Sequence, residues 1–277
     1  MRLLTFRYQN DVMAGVLSGE KVLPLPWPDV KALVESGLES ASEAAAAAAA
    51  IPLAEVTLLA PLLRPGKIVA IGLNYLDHCL EQGKTPPERP TIFTKFSTAV
   101  NHPGGEIRWD PSLTQKVDYE AELAVVIGKR AYRVSEEDAY DYVAGYTCLN
   151  DVSARDLQRG DKQWVRGKSL DTFAPMGPVL VTADELPDPH GLAIRCWVNG
   201  ELRQESNTDQ LIHTVPKLIA FCSHAFTLEP GDIITTGTPG GVGVYSEPPV
   251  FLKPGDEIVV EIESIGRLQN RVGPYLP

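Results

Sequence analysis

Short apolar runs rich in β-branched residues recur along most of the chain, separated by Gly, Pro and Asn-Gly breaks. From Lys67 onward KIVAIG, TIFTKF, ELAVVIG, YVAGYTCLN, GPVLVTADEL, LAIRCWVNG, DIITTGT and DEIVVEIESIG each read as a strand. Turn signals at Asn199-Gly200, Pro230-Gly231 and Pro254-Gly255 separate the later ones. Residues 1–25 alternate like a hairpin: LLTFRY, a polar break at Gln9-Asn10-Asp11, then VMAGVLSG and KVLPLP. Helical patterning is sparse. It predicts helices over 28–50, 75–82, 135–142, 151–159 and 208–224, the first ending in seven alanines. No βαβ alternation and no GxGxxG fingerprint is present, and Gly237-Thr238-Pro239-Gly240-Gly241 lacks the Lys-Ser/Thr of a P-loop. The pattern predicts a β-rich α+β fold, a roll or barrel with short helices. Pro52, Pro61 and Pro65 punctuate the end of the first helical region. They place a small N-terminal α+β domain at residues 1–62 and the main β-rich domain at 63–277.

Composition narrows the function classes. The chain has 277 residues, net charge −11 and a sequence pI near 5.0, which argues against nucleic acid or an anionic membrane as a main partner. Cys79, Cys148, Cys196 and Cys222 are scattered and form no CxxC pair, so no zinc or redox motif is present. No apolar run approaches the roughly 18–20 residues of a membrane span. MRLLTFRYQN lacks the apolar core of a signal peptide. A cytoplasmic protein with free thiols is the expectation.

The most informative chemistry is Asp118-Tyr119-Glu120-Ala121-Glu122, a carboxylate at every second position leading into Leu-Ala-Val-Val-Ile. On a strand these three acids share one face. That face is either solvated or holds a cation, because buried like charges repel. All-oxygen ligands favour Mg²⁺ or Mn²⁺, with Ca²⁺ a further candidate. Asp151, at the end of the run 143–151, tilts the choice toward metal and toward Glu120, Glu122 and Asp151 as ligands. Asp118, at the mouth of its strand, is assigned a supporting role.

Three further groups stand out. His78 and Glu81 are three apart on a helix, which is either a surface pair or a dyad for general base catalysis. Arg155 and Gln158 share a helix face and offer a bidentate cation and an amide donor; pairing of Arg155 with a nearby acid is the competing use. Lys168, between Gly167 and Ser169, is placed to offset carboxylate charge, and Thr238 lies in a glycine-rich turn suited to oxyanion binding. A solvated lysine and a plain turn are the alternatives. The segment Gly83–Pro90 reads as a lid.

Five ordered motifs, GLNYLDH, DYEAEL, LNDVSARDLQ, RGKSLDTFAPMGP and TTGTPGGVG, together resemble the fumarylacetoacetate hydrolase family over roughly residues 65–275. The resemblance implies a mixed β-sandwich roll and a homodimer. It implies Mg²⁺ or Mn²⁺ on Glu120, Glu122 and Asp151, a water-activating dyad of His78 and Glu81, and Lys168 beside the metal. Arg155, Gln158 and Thr238 match substrate-contacting positions; Lys95 matches a recurrent lysine of unassigned role. Substrates would be small 2-oxo or β-dicarbonyl acids. The leading expectation is a metal-dependent C–C hydrolase of acylpyruvate-like acids. The alternatives are an isomerase of hydroxyheptadienedioate or hydroxymuconate type, an oxaloacetate decarboxylase, and a metal-stabilised binding protein without turnover.

Overall fold

The alternating N-terminal pattern folds as a meander of β1 (Arg2–Tyr8), β2 (Asp11–Ser18) and β3 (Lys21–Pro24) in the computed structural model, which describes residues 1–276. These strands extend a 12-stranded mixed sheet. From β1 the sheet continues through β8 (Ala174–Thr182), β7 (Val143–Asn150), β6 (Ala121–Ile127), β11 (Ile233–Thr235), β4 (Ile68–Gly72) and β5 (Thr91–Lys95). The break at residues 62/63 lies between Thr57–Leu59 and β4, and the sheet crosses it where Leu3 pairs with Leu180. A second, five-stranded sheet contains β10 (Glu201–Asn207), β9 (Ala193–Val198), β12 (Glu257–Ile262) and β13 (Gly266–Val272). The result is the β-rich α+β architecture that the strand pattern predicts.

Strand β6 shows why its sequence is continuously apolar: both faces are covered. Leu123, Val125 and Ile127 pack with Ile194, Cys196, Val260 and Leu268 of the second sheet. Ala124 and Val126 pack on the other face with Leu33, Leu180 and Ile233. The period of two puts Glu122 on the Ala124 side, and Glu120 directly precedes the strand.

The helices depart from expectation. The stretch 28–50 is two helices, α1 (Val30–Ser36) and α2 (Ala41–Ala47), parted at Gly37 with φ 94. The alanine run leaves the helix after Ala47 because Ile51 pairs with Val22 and pulls the chain into the sheet. The following helices are α3 (Leu76–Glu81), α4 (Arg155–Gly160), α5 (Val165–Lys168) and α6 (Val215–Ala225). Residues 135–142 supply only a 3₁₀ turn, Ala139–Tyr142. The predicted helix 208–224 is interrupted where Leu211 bridges Tyr75, and α6 starts after Thr214. No helix among the described residues is long and apolar enough to cross a membrane.

Candidate active site

The acidic segment is not one strand. Val117–Asp118 pairs with Ser153–Ala154, whereas β6 begins at Ala121. Side chains break the ladder: Asp118 Oδ1 accepts from Tyr119 N at 2.9 Å, and Asn150 Oδ1 accepts from Glu120 N at 3.0 Å. The β6–β7 register sets Ala121 opposite Asn150, so the next residue, Asp151, lies beside Glu120 and donates its N–H to the Glu120 carbonyl at 2.9 Å. Glu120, Glu122 and Asp151 thereby bring carboxylate oxygens within 4.8 Å of one another, all three residues buried.

Cations surround two of the three acids. Lys168 Nζ lies 2.7 Å from both Glu120 Oε2 and Asp151 Oδ2, and Lys95 Nζ lies 2.5 Å from Asp151 Oδ1. Arg155 reaches Glu120 Oε1 at 2.6 Å and Asp118 Oδ2 at 2.8 Å. Asp118 also accepts from Gly243 N and Val244 N, so it orients Arg155 and anchors that loop. Burial opposes ionisation of Glu120, but Lys168 and Arg155 outweigh it and hold the carboxyl down at about 2. Burial also works against the Lys168 ammonium, yet Asp151 and Glu120 push it up. Lys95 is pulled down, burial exceeding the attraction of Asp151.

Glu122 is the exception. It is 1% exposed, its oxygen accepts from Gly237 N at 3.1 Å, and no cation pairs with it among the described residues. Burial, then Asp151 and Glu120, push its carboxyl well up. An oxygen-only cluster with one buried carboxyl lacking a counter-ion fits a hard divalent cation. Such an ion would be held by Glu120, Glu122 and Asp151.

A cavity of ≈ 520 Å³ is lined by Glu120 and Glu122 together with His78, Gln82, Gln158, Thr238 and Tyr245. His78 Nδ1 lies 2.8 Å from Glu81 Oε2; a carboxylate only accepts, so Nδ1 carries the proton. His78 Nε2 then accepts from Gln82 Nε2 at 2.8 Å, and Gln82 Oε1 accepts from Tyr245 OH at 3.1 Å. Helix α3 docks on the glycine-rich loop: Gly241 N donates to Glu81 Oε1 at 2.8 Å and Gly240 N to Asp77 Oδ1 at 3.3 Å. Gly237 there has φ 93, and a Cβ would come within 3.0 Å of Asn74 Cβ, so the loop needs glycine to lie against α3's entry.

The second sheet supports the substrate side. Gln204 accepts from Ala121 N at 2.9 Å and donates to Thr238 Oγ1 at 2.8 Å, leaving the Thr238 hydroxyl proton free to donate. Arg155 Nη1 donates to Gln158 Oε1 at 3.1 Å, which leaves the Gln158 amide N–H groups for a ligand.

The family model for the fumarylacetoacetate (FAA) hydrolase C-terminal region matches residues 67–273. This chain belongs to the fumarylacetoacetate hydrolase family. It is 53% identical over 219 residues to a mitochondrial oxaloacetate tautomerase of Xenopus laevis, covering 78% of this chain and 68% of the relative. The fumarylacetoacetate hydrolase of Exiguobacterium antarcticum superposes with TM-score 0.91 at 38% identity, covering 99% of each chain. The 5-carboxymethyl-2-hydroxymuconate delta-isomerase of Mycobacterium smegmatis superposes with TM-score 0.83 at 35% identity, covering 100% of each.

Every candidate from the sequence except Lys95 lines the cavity or pairs with a residue that does, and Lys95 reaches it through Asp151, which pairs with Lys168. Gln82, Gln204 and Asn74 were not singled out in the sequence. Asn74 joins two chain segments, donating to the His213 and Thr236 carbonyls and accepting from His213 N. A polar residue between a buried strand and a helix, as in Gly72-Leu73-Asn74, was the available signal for it. Gln204 sits in a strand of mixed polarity, where nothing local marks it.

Proposed function

We propose that this protein interconverts the keto and enol forms of a small 2-oxo dicarboxylic acid of the oxaloacetate type, with Mg²⁺ or Mn²⁺ on Glu120, Glu122 and Asp151. The observation that carries the reading is a single cavity lined both by Glu120 and Glu122 of that buried cluster and by an imidazole whose Nε2 is an acceptor. A bound divalent ion would supply Lewis acidity toward the 2-oxo and carboxylate oxygens. His78, oriented by Glu81, takes the C3 proton on Nε2 once Gln82 releases it. The C3–H electron pair becomes the C2–C3 π bond and the C2–O π pair moves onto the C2 oxygen, near the positive charge of Lys168 and Arg155. Return of the proton to that oxygen completes the enol; the reverse sequence gives the keto form. The name of the Xenopus relative supports this choice of reaction.

Hydrolysis is the second reading, favoured by the His78–Glu81 pair, which is also the arrangement that activates water. Water then adds to the distal carbonyl of an acylpyruvate, the C–C bond breaks, and a carboxylic acid and pyruvate leave. Both readings use the same electron sink and differ in the bond broken at C3.

An ultraviolet assay of enol oxaloacetate, with product analysis, decides between them. The proposal expects faster loss of the enol with oxaloacetate conserved, abolished by EDTA and restored by Mg²⁺ or Mn²⁺. Pyruvate and a carboxylic acid from acylpyruvates, with no effect on the enol, would replace it by hydrolysis. Full activity after EDTA with no residual metal would remove the metal from either.

A further inference from the structure

We propose that Lys84, Arg159 and Lys162 form a subsite for the second, distal carboxylate of the substrate, and so restrict the enzyme to dicarboxylates. This rests on the reading of the cavity as a 2-oxo acid site. The cavity is lined by five cationic side chains, of which Arg155 and Lys168 are engaged by the buried acids. Lys84, Arg159 and Lys162 line it too, are exposed, and form no ion pair among the described residues. In a chain of net charge −11, three unpaired cations at one cavity are a local reversal of sign.

The neighbouring acids explain how they stay free. Asp161, between Arg159 and Lys162, is held by Arg166 in bidentate fashion at 2.6 and 2.5 Å. Asp156 accepts from Thr114 Oγ1 at 2.6 Å and Gln115 N at 3.2 Å. The cavity lining itself contains no carboxylate besides Glu120 and Glu122. Lys84 comes from the segment after α3, its N–H bonded to Cys79 O at 2.9 Å, whereas Arg159 lies in the last turn of α4 and Lys162 follows the helix. Two separate segments thus bring positive charge to one opening. The inner end of the cavity takes the 2-oxo acid group, and a second carboxylate would lie among these three cations.

The test uses two unreactive probes on the Mg²⁺-loaded protein: N-oxalylglycine, and its ester in which the glycine carboxylate is methylated. Calorimetric titration of the wild type should show the diacid bound about tenfold more tightly at low salt. Lys84→Gln, Arg159→Gln and Lys162→Gln should each reduce that ratio about two- to five-fold, the range of exposed charge pairs. The triple variant should bring it to parity. The ratio should also shrink as salt rises toward 1 M. Lys129→Gln, outside the cavity, changes net charge equally and should leave it unaltered. Equal binding of the two probes by the wild type, or a preference surviving in the triple variant, overturns the subsite. Failure of both probes to bind overturns it together with the reading of the cavity. Because neither probe turns over, absence of tautomerase activity would reject the proposed reaction and leave this result standing.

Discussion

The two halves of the cavity are built differently. The carboxylate half is buried and over-determined: Glu120, Glu122, Asp151 and Lys168 are 5%, 1%, 0% and 2% exposed, and each is fixed by bonds from separate segments. The base half rests on α3, a six-residue helix with Leu80 71% exposed, and is joined to the body by a few side-chain bonds to residues 240–245. Electrostatic stabilisation gains from a fixed set of charges that need not reorganise. Proton transfer requires a base that can approach and withdraw, as Gln82 must from His78 Nε2. In the proposed reaction the electron sink belongs to the buried half, and the choice of bond at C3 to the more lightly anchored one.

His78→Asn breaks the base half alone. Turnover of oxaloacetate should fall about 10²–10⁴-fold, the usual contribution of general base catalysis, with Mg²⁺ affinity unchanged. Steady-state kinetics with a metal titration checks both; loss of metal affinity would show that the halves are not separable. Lys168→Ala acts on the rigid half. It removes positive charge beside Glu120 and Asp151, so kcat should drop roughly 10²–10³-fold. It also leaves two buried acids without that partner, a destabilisation of about 3–5 kcal/mol in chemical denaturation without metal. Wild-type turnover in this variant would remove Lys168 from the reaction.

Metal removal gives a smaller effect whose pH dependence identifies Glu122. Its carboxyl in the folded, metal-free protein lies well above the 4.5 of the unfolded chain, through burial, Asp151 and Glu120. The folded state therefore keeps a proton that the unfolded chain has lost. The stability this proton contributes is full below 4.5 and is lost as pH rises through the folded value. A bound divalent ion needs the carboxylate and cancels that loss. The rise in Tm on adding Mg²⁺ or Mn²⁺ should increase with pH above 4.5, and titrations in buffers of different ionisation enthalpy should show proton release. An increment independent of pH would take Glu122 out of the ligand set.

The rigid half was also the more legible. A continuous β-branched run reads as a strand buried on both faces, and its parity carries Glu122 to one side. Its mouth is not strand, because Asp118 takes the Tyr119 N–H and Asn150 the Glu120 N–H, a competition that alternation does not record. The alanine run was misread for a similar reason. Alanine favours helix anywhere, and pairing of Ile51 with Val22 decides where the helix stops. On the α3 side spacing gives His78 with Glu81, but Gln82 with Tyr245 is a contact across 163 positions. Likewise Lys84 meets Arg159 and Lys162 only through the folded cavity.

The smallest effect probes the seam between the halves. Gly243 N and Val244 N donate to Asp118, which orients Arg155, while the next residue, Tyr245, donates through its hydroxyl to Gln82. Tyr245→Phe removes that one bond and keeps the ring, whose centroid lies 5.9 Å from that of His78. A single neutral hydrogen bond contributes about 0.5–1.5 kcal/mol, so kcat should fall about two- to tenfold. Because the hydroxyl is at the far end of the side chain from Val244, the Asp118 contacts should persist, with metal affinity unchanged and Tm lowered by at most about a few degrees. Parallel loss of metal affinity and rate in Tyr245→Phe would mean that residues 243–245 transmit strain into Arg155 and Glu120. The cavity would then be one cooperative network, and the division between a fixed electron sink and a movable base would fail.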